Sequence, residues 1–318
     1  MKYGFTVPSR GPLATPESIV TIAKKGEELG FDSISLGDHI LVPRTIESSY
    51  PYTDSGEYPG STTGSSLEQL SVLSYLAGQT SKIRLSTSVM VVPHRNPIVA
   101  AKSLATIDVL SKGRLVVGVG TGWMREEFEA LGVEPFEDRG AVTDDYIQAM
   151  KELWTSSSPS YNGKYCSFKE ISFLPKPVQK PHPPLWVGGE SKRAIRRAAR
   201  FCDGWCPIDV NPRFPMDSPE RLSRAMGQLR DCAEEANRFV DDIEVIYRTH
   251  RLELSGTVNN SSDRGQFVGN SNQIAGDINK YRDIGVNSFM VDFARASPSL
   301  EDMLGKMEDF ALEVWPKV

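Results

Sequence analysis

Cysteine and histidine are scarce here, four of each in 318 residues. Cys166, Cys202, Cys206 and Cys232 are scattered, and the one close pair, CDGWC, has a spacing of four with no histidine beside it. That pattern argues against a zinc site and against a disulfide framework, and leaves the cysteines as small residues in a reduced cytosol. Basic charge is not in surplus either. Lys plus Arg number 36 against 41 for Asp plus Glu, a net charge of -5, and no basic block forms a phosphate-tracking stripe, so nucleic acid is not an expected partner. No window approaches the roughly 18 apolar residues of a membrane span, and the opening MKYGFTVPSRG has no apolar signal region. The expectation is a cytoplasmic protein with no membrane partner and no metal.

A dinucleotide fingerprint is the next absence. The stretch RLVVGVGTGWMREEF (114–128) comes nearest to one, yet Gly118, Gly120 and Gly122 place the third glycine one residue early, with Trp123 where it should sit. No strand ending in Asp or Glu follows about 20 residues on, and the stretch falls in the fourth strand–helix unit rather than the first.

What the chain does have is alternation. Strand signals at 2–8, 32–38, 83–92, 114–120, 184–189, 203–209, 242–254 and 287–293 are each followed by helical periodicity. The first helix is bounded by Thr15 as N-cap, Pro16 at its first position and Gly30 as its stop. Further helices are expected over 66–80, capped near Ser65 or Ser66, over 142–154, and from Pro219 to Phe239. Eight such units predict an α/β fold, a (β/α)8 barrel spanning 1–318 as one domain. Two segments interrupt the rhythm: a polar loop at 40–65 and an arm at 157–184 with an Asn-Gly turn signal. Loops this long inside a domain are usually lids or binding loops.

Catalytic groups of such barrels sit at the C-terminal ends of the strands. Those ends are Gly4 to Pro8, Asp38 and His39, Ser86 to Val89, Gly120 to Trp123, Gly188 to Ser191, Asp203 to Cys206, Arg248 to His250, and Asp292 to Arg295. Glycine and serine at several of them leave backbone accessible to a flat ligand or a phosphate. His39 is the candidate general acid or base, because an imidazole near its ordinary pKa exchanges a proton at neutral pH. His94, His182 and His250 lack its context and read as structural or surface residues. Gly188, Gly189 and Ser191 open a helix whose first turn offers free N–H groups to an anion, or Ser191 simply caps it. Thr87 and Ser88 either contact a ligand or satisfy local backbone groups.

LGFDSISLGDHILVP, TSVMVVPHRNPIVAAKSLATIDVLSKGRLVVGVGTGW followed by REEFEALG, and PKPVQKPHPPLWVGGESKRAIRRAARFCDGW carry a resemblance over roughly the first two thirds of the chain. The chain resembles the bacterial luciferase-like superfamily, and within it the deazaflavin (coenzyme F-420)-dependent oxidoreductases. The resemblance implies a (β/α)8 barrel with insertions, a homodimer, and a deazaflavin or flavin ring in the barrel mouth. It implies that Asp38 and His39 border the ring, with His39 handling the proton. It implies a bulge in strand three, with a non-proline cis peptide at Ser88 to Val89, against the ring's back face. Gly120, Thr121 and Gly122 would line the ring or ribityl chain, and Gly188, Gly189 and Ser191 the phosphate. One departure matters: the deazaflavin sugar-phosphate dehydrogenases carry Glu directly after Gly-Thr-Gly as proton donor, where this chain has Trp123. Glu126 and Glu127 come later, so that subgroup's substrate and donor chemistry is not carried over. The expected activity is hydride transfer between reduced coenzyme F-420 and a small organic substrate. The rivals are an FMN-dependent monooxygenase using reduced FMN and oxygen, and a non-catalytic flavin- or deazaflavin-binding protein.

Overall fold

Short runs of small and β-branched residues, each buried on both faces, pair in parallel and return to the first strand in the computed structural model, which describes residues 1–60, 65–258 and 264–318. The rungs are β1 (Lys2–Thr6), β2 (Ser33–Leu36), β3 (Arg84–Thr87), β4 (Leu115–Gly120), β5 (Leu185–Gly188), β6 (Gly204–Cys206), β7 (Glu244–Thr249) and β8 (Ser288–Val291). Each pairs with the next in sequence, and β8 closes on β1 with Phe289 opposite Tyr3. A parallel sheet covered by helices and closed into a barrel has no free edge, which is why its strands read as near-continuous apolar runs. The (β/α)8 expectation holds.

Inside the ring, Val116, Trp186, Ile246 and Met290 form a small core of their own. Gly4 and Gly204 make room for it: a side chain at Gly4 would overlap Met290, and one at Gly204 would overlap Trp186. The barrel is therefore packed rather than hollow, and a ligand is confined to its mouth.

Nine helices surround the rungs among the described residues. α1 (Pro16–Leu29) is bounded as the sequence predicts: the Thr15 side chain accepts from the Ser18 N–H, and Gly30 takes the left-handed conformation at φ 89°. α2 (Gln69–Gln79) starts later than the expected 66, because the Glu68 carboxylate, not Ser65 or Ser66, caps it by accepting from the Ser71 N–H. α3 (Pro97–Leu110) follows the third rung, and α4 (Arg125–Leu131) and α5 (Arg139–Thr155) follow β4. α5 begins three residues before the expected 142, its first turn continuing a single 3-10 turn at Phe136–Asp138. α6 (Lys192–Phe201), α7 (Pro219–Glu235), α8 (Ser271–Asp283) and α9 (Leu300–Asp309) complete the shell. α7 stops at Glu235, short of Phe239, where Asn237 at φ 54° turns the chain out of the helix.

Two further corrections concern strands. The third rung is not continuous over 83–92: it breaks at Ser88–Val89 and resumes as Met90–Val91, paired with Val119 and Gly120. The expected strand at 242–254 ends at Thr249, and Glu253–Leu254 instead pairs with Val268–Gly269. The arm holds a small hairpin, Tyr161–Asn162 against Ser167–Phe168, whose turn is tied down by the Asp145 carboxylate accepting from the Tyr165 and Cys166 N–H groups. No helix among the described residues is long and apolar enough to cross a membrane.

Candidate active site

The mouth is organised around the interruption in the third rung. The Ser88–Val89 peptide is cis, at the position the resemblance implies. Val89 then projects toward β4 and β5, and three glycines receive it: a Cβ at Gly120 would overlap Val89, one at Gly188 would stand 2.9 Å from it, and one at Gly118 would overlap the Thr87 carbonyl oxygen. The alternating glycines of LVVGVG are thus the complement of the bulge, and the space the sequence offers a flat ligand is partly taken by Val89. Thr87 donates its hydroxyl to the Gly118 carbonyl at 2.6 Å, so of the two uses open to it the structure shows the backbone one.

Asp38 leaves β2 and holds the far side of the bulge. Its carboxylate accepts from the Val91 N–H at 2.8 Å and is bound at both oxygens by Arg95, at 2.7 and 2.8 Å. This bidentate, buried pair anchors the resumed rung. Arg95 also reaches Glu68 at 2.8 Å, so the α2 cap belongs to the same network.

His39 is oriented by a residue that strand-end reasoning does not find. Its Nδ1 lies 2.9 Å from Glu127 Oε2, while Glu127 Oε1 accepts from the Ile40 and Leu41 N–H groups at 2.8 and 3.3 Å. The Glu127 side chain is 1 % exposed. Burial works against its charge, but the hydrogen bond and charge of His39, the proximity of His94 and the Ile40 N–H outweigh it and hold the carboxyl below its ordinary value. An ionised Glu127 can only accept, so His39 Nδ1 carries a proton and Nε2 is left for exchange. Glu127 sits seven residues beyond the end of β4, on the first turn of α4. Its only sequence signal is the acidic start of REEF.

His94 is buried against Phe128, with ring centroids 4.7 Å apart and Nδ1 3.8 Å from Glu127. Burial lowers its pKa to about 4, so it stays neutral at physiological pH. His182 bonds the Pro183 carbonyl and lies beside Trp154.

The loop after β2 folds over the mouth. The rings of Tyr50 and Tyr58 lie 5.0 and 5.2 Å from Trp123, and Tyr58 lies 5.1 Å from His39. Tyr52 packs on Tyr50 at 5.5 Å. Trp123, which departs from the sugar-phosphate subgroup, thus joins the lid tyrosines in an aromatic cluster beside His39, 6.2 Å from the imidazole. The lid is tied to α4: Glu126 accepts from the Glu47 and Ser48 N–H groups at 2.6 and 2.8 Å, and the Arg125 N–H donates to Ser48 at 3.0 Å. Residues 61–64 of the expected loop lie outside the described residues.

Thr121 is half-buried beyond β4, and Gly122, at φ 81°, packs on Val91 and Phe128, where a Cβ would come within 2.8 Å of either. After the neighbouring rung, β5, Gly189 takes φ 111° and its carbonyl accepts from the Trp205 indole at 2.8 Å. Ser191 caps α6, accepting from the Ala194 N–H at 3.3 Å. Beside them Glu190 is buried, bonded to Asn211 at 2.6 Å and to the Ile208 N–H at 3.1 Å; burial pushes its carboxyl up to about 7 despite those bonds.

The site thus joins three things: a fixed, non-polar back wall at Val89, a histidine with one nitrogen held by a buried carboxylate, and an aromatic lid. A flat conjugated ring lying against the wall, closed off from water, fits that combination.

Residues 1–252 match the model of a family described as luciferase-like monooxygenase. An uncharacterised protein of Mycobacterium tuberculosis is 34% identical over 225 residues, 70% of this chain and 77% of that protein. An F-420-dependent glucose-6-phosphate dehydrogenase of Amycolatopsis mediterranei is 28% identical over 244 residues, 76% of this chain and 65% of that enzyme. An FMNH2-dependent dimethylsulfone monooxygenase of Pseudomonas putida is 35% identical over 139 residues, 43% of this chain and 38% of that enzyme. Among solved structures, a monooxygenase from Streptomyces bottropensis superposes with a TM-score of 0.78 at 20% identity, covering 99% of both chains. The coenzyme F-420-dependent tetrahydromethanopterin reductase from Methanopyrus kandleri superposes at 0.74 and 17% identity, covering 99% of this chain and 98% of that one. Both share this fold.

Proposed function

Since this chain belongs to the luciferase-like monooxygenase family, we propose that it is an oxidoreductase exchanging hydride between coenzyme F-420 and a small organic substrate, with His39 as its proton-handling group. The observation that carries this reading is the pairing of His39 Nδ1 with the buried carboxylate of Glu127 at 2.9 Å.

Reduction of a polarised double bond needs a proton delivered beside the incoming hydride. Glu127 fixes the tautomer and rotation of His39, stabilises the imidazolium when Nε2 is protonated, and is itself too enclosed to meet substrate. The wall at Val89 and the edge formed by Gly120, Thr121 and Gly122 would hold the ring, and Gly188, Gly189 and Ser191 its phosphate. When bound, the deazaflavin supplies the hydride. Tyr50, Tyr58 and Trp123 exclude water from His39, which keeps its proton for the substrate. The greater share of the chain matched by the F-420-dependent relative, 76% against 43%, supports F-420 over FMN. The higher identity to the FMNH2-dependent monooxygenase, 35% against 28%, favours the second reading, reduced FMN and oxygen on the same scaffold.

Titration of the purified protein with oxidised F-420 and with FMN separates the two. Micromolar binding of F-420 is expected, and micromolar binding of FMN with none of F-420 would overturn the assignment. His39→Ala is expected to keep cofactor affinity and lower turnover roughly 10²- to 10⁴-fold. Unchanged turnover removes His39 from the mechanism.

A further inference from the structure

Arg248 leaves β7 with its guanidinium in the mouth. One Nη donates to Ser88 Oγ at 2.7 Å, the other to Thr6 Oγ1 at 3.0 Å, and the buried Nε has no hydrogen-bond partner. Two residues later, the His250 side chain is only 9 % exposed; its Nδ1 accepts from Arg295 Nη1 at 3.0 Å. Nδ1 being an acceptor, the ring's proton is on Nε2, which is buried without a hydrogen-bond partner, 3.5 Å from the Asp292 carboxylate. Arg10 enters from the segment after β1, its guanidinium 4.9 Å from the Tyr58 ring centroid and bonded to the Tyr58 hydroxyl.

Among the described residues the hydrogen bonds of Arg10, Arg248 and Arg295 all end on neutral groups: a phenol, two hydroxyls, the Ser88 carbonyl and a neutral imidazole. All three charges act on the same neighbours. Burial and then Arg248, Arg295 and Arg10 depress His250, and the same three arginines oppose the burial that raises Tyr50. Guanidinium cannot shed its proton, so the half-buried Arg248, with no carboxylate bound to it, carries an electrostatic cost that an anion would relieve, and the exposed Arg10 and Arg295 add charge of the same sign at the rim. Asp292 borders the group at His250 and does not bond any of the three. In barrels of this kind, phosphate sites are frequently built from the loops after strands seven and eight, and Arg248, His250 and Arg295 stand there.

We propose that the side of the mouth between β1, β7 and β8 binds an anionic group of the substrate, a carboxylate or a phosphate, through Arg248, Arg295 and Arg10. The proposal rests on the oxidoreductase reading and gives it a substrate class. The site lies on the β7, β8 and β1 side of the mouth, two to four rungs from the Gly188 to Ser191 turn after β5 in a ring of eight. The anion anchors one end of the substrate beside Ser88 while His39, three residues past the end of β2, meets the other.

Inorganic phosphate is the probe, titrated calorimetrically into the protein at low ionic strength, without and then with saturating FMN or F-420. Saturable binding is expected, weakened at least about tenfold in Arg295→Gln and in Arg10→Gln, both exposed positions whose loss leaves the barrel intact, and largely restored in Arg295→Lys. No saturable binding, or binding indifferent to those variants, would overturn the proposal. Competition between phosphate and the cofactor that binds would also overturn it, because the arginines would then hold the cofactor's own phosphate. Phosphate binding by a protein that takes up neither cofactor leaves the anion site standing and removes the redox reading instead.

Discussion

Glu190 follows the paired glycines of β5 and is sealed between Asn211 and the Ile208 N–H, with its carboxyl raised to about 7 by burial. A carboxyl raised in the folded state keeps its proton where the unfolded chain has lost it. Its contribution to stability is complete below about pH 4.5 and is lost as pH rises from there to about 7. The difference of two to three pH units corresponds to about 3 kcal/mol. His94, lowered to about 4 by burial, acts in the opposite sense, costing stability as pH falls from about 6.5 toward 4. The two slopes overlap, so Glu190 must be read by comparison at each pH. Urea unfolding of the parent and Glu190→Gln at pH 5 and pH 8 should show the parent losing about 2–3 kcal/mol relative to the variant between the two. Parallel pH dependence in both proteins would show that Glu190 titrates normally.

At the scale of an element, β4 and the interrupted third rung are a matched pair. Gly118, Gly120 and Gly188 are small because the Thr87 carbonyl and Val89 occupy the volume their side chains would need. A methyl at Gly118 has rigid backbone as its obstacle, and at Gly120 a branched side chain already walled in. Gly118→Ala should therefore destabilise the protein by about 1–3 kcal/mol, the cost of overpacking a well-filled interior. The same change at Gly227, which faces open space on α7, should cost nothing of this kind and gain from helix propensity. Denaturant midpoints of the two variants decide the matter, and equal midpoints would remove the packing argument.

Across the whole molecule, the lid is joined to the barrel at its base by the Ile40 and Leu41 N–H groups on Glu127, by the packing of Tyr50 and Tyr58 on Trp123, and farther out by a few hydrogen bonds. The Glu47 and Ser48 N–H groups end on Glu126, Ser48 also takes the Arg125 N–H, and Tyr58 takes Arg10. Removing the Glu126 carboxylate frees two lid amides and leaves the rungs untouched. In Glu126→Ala, amide hydrogen exchange at Glu47 and Ser48 should accelerate while Val117, inside β4, keeps its protection. A uniform acceleration would mean that the carboxylate supports the barrel and not the lid.

The rungs were legible in the chain because a buried parallel strand and a capped helix are local facts: Thr15, Pro16 and Gly30 bound α1 through contacts within a few residues. Element ends strayed where a distant residue decided them, as when Glu68, already held by Arg95, took the capping role from Ser65 and Ser66. His39 stood out in the sequence because it ends a strand. Glu127, 88 positions away, did not, because a carboxylate on an exposed-looking helix is indistinguishable from a solvated one until the barrel closes and buries it against the imidazole. Arg10 lies more than 200 residues before Arg248, Arg295 stands a further strand–helix unit on, and the three carry no common motif. Periodicity and turn chemistry dictate the secondary structure, and through it the barrel. Which charges meet in its mouth follows only from closure, which sets strand one beside strand eight and gives burial and pairing their energy.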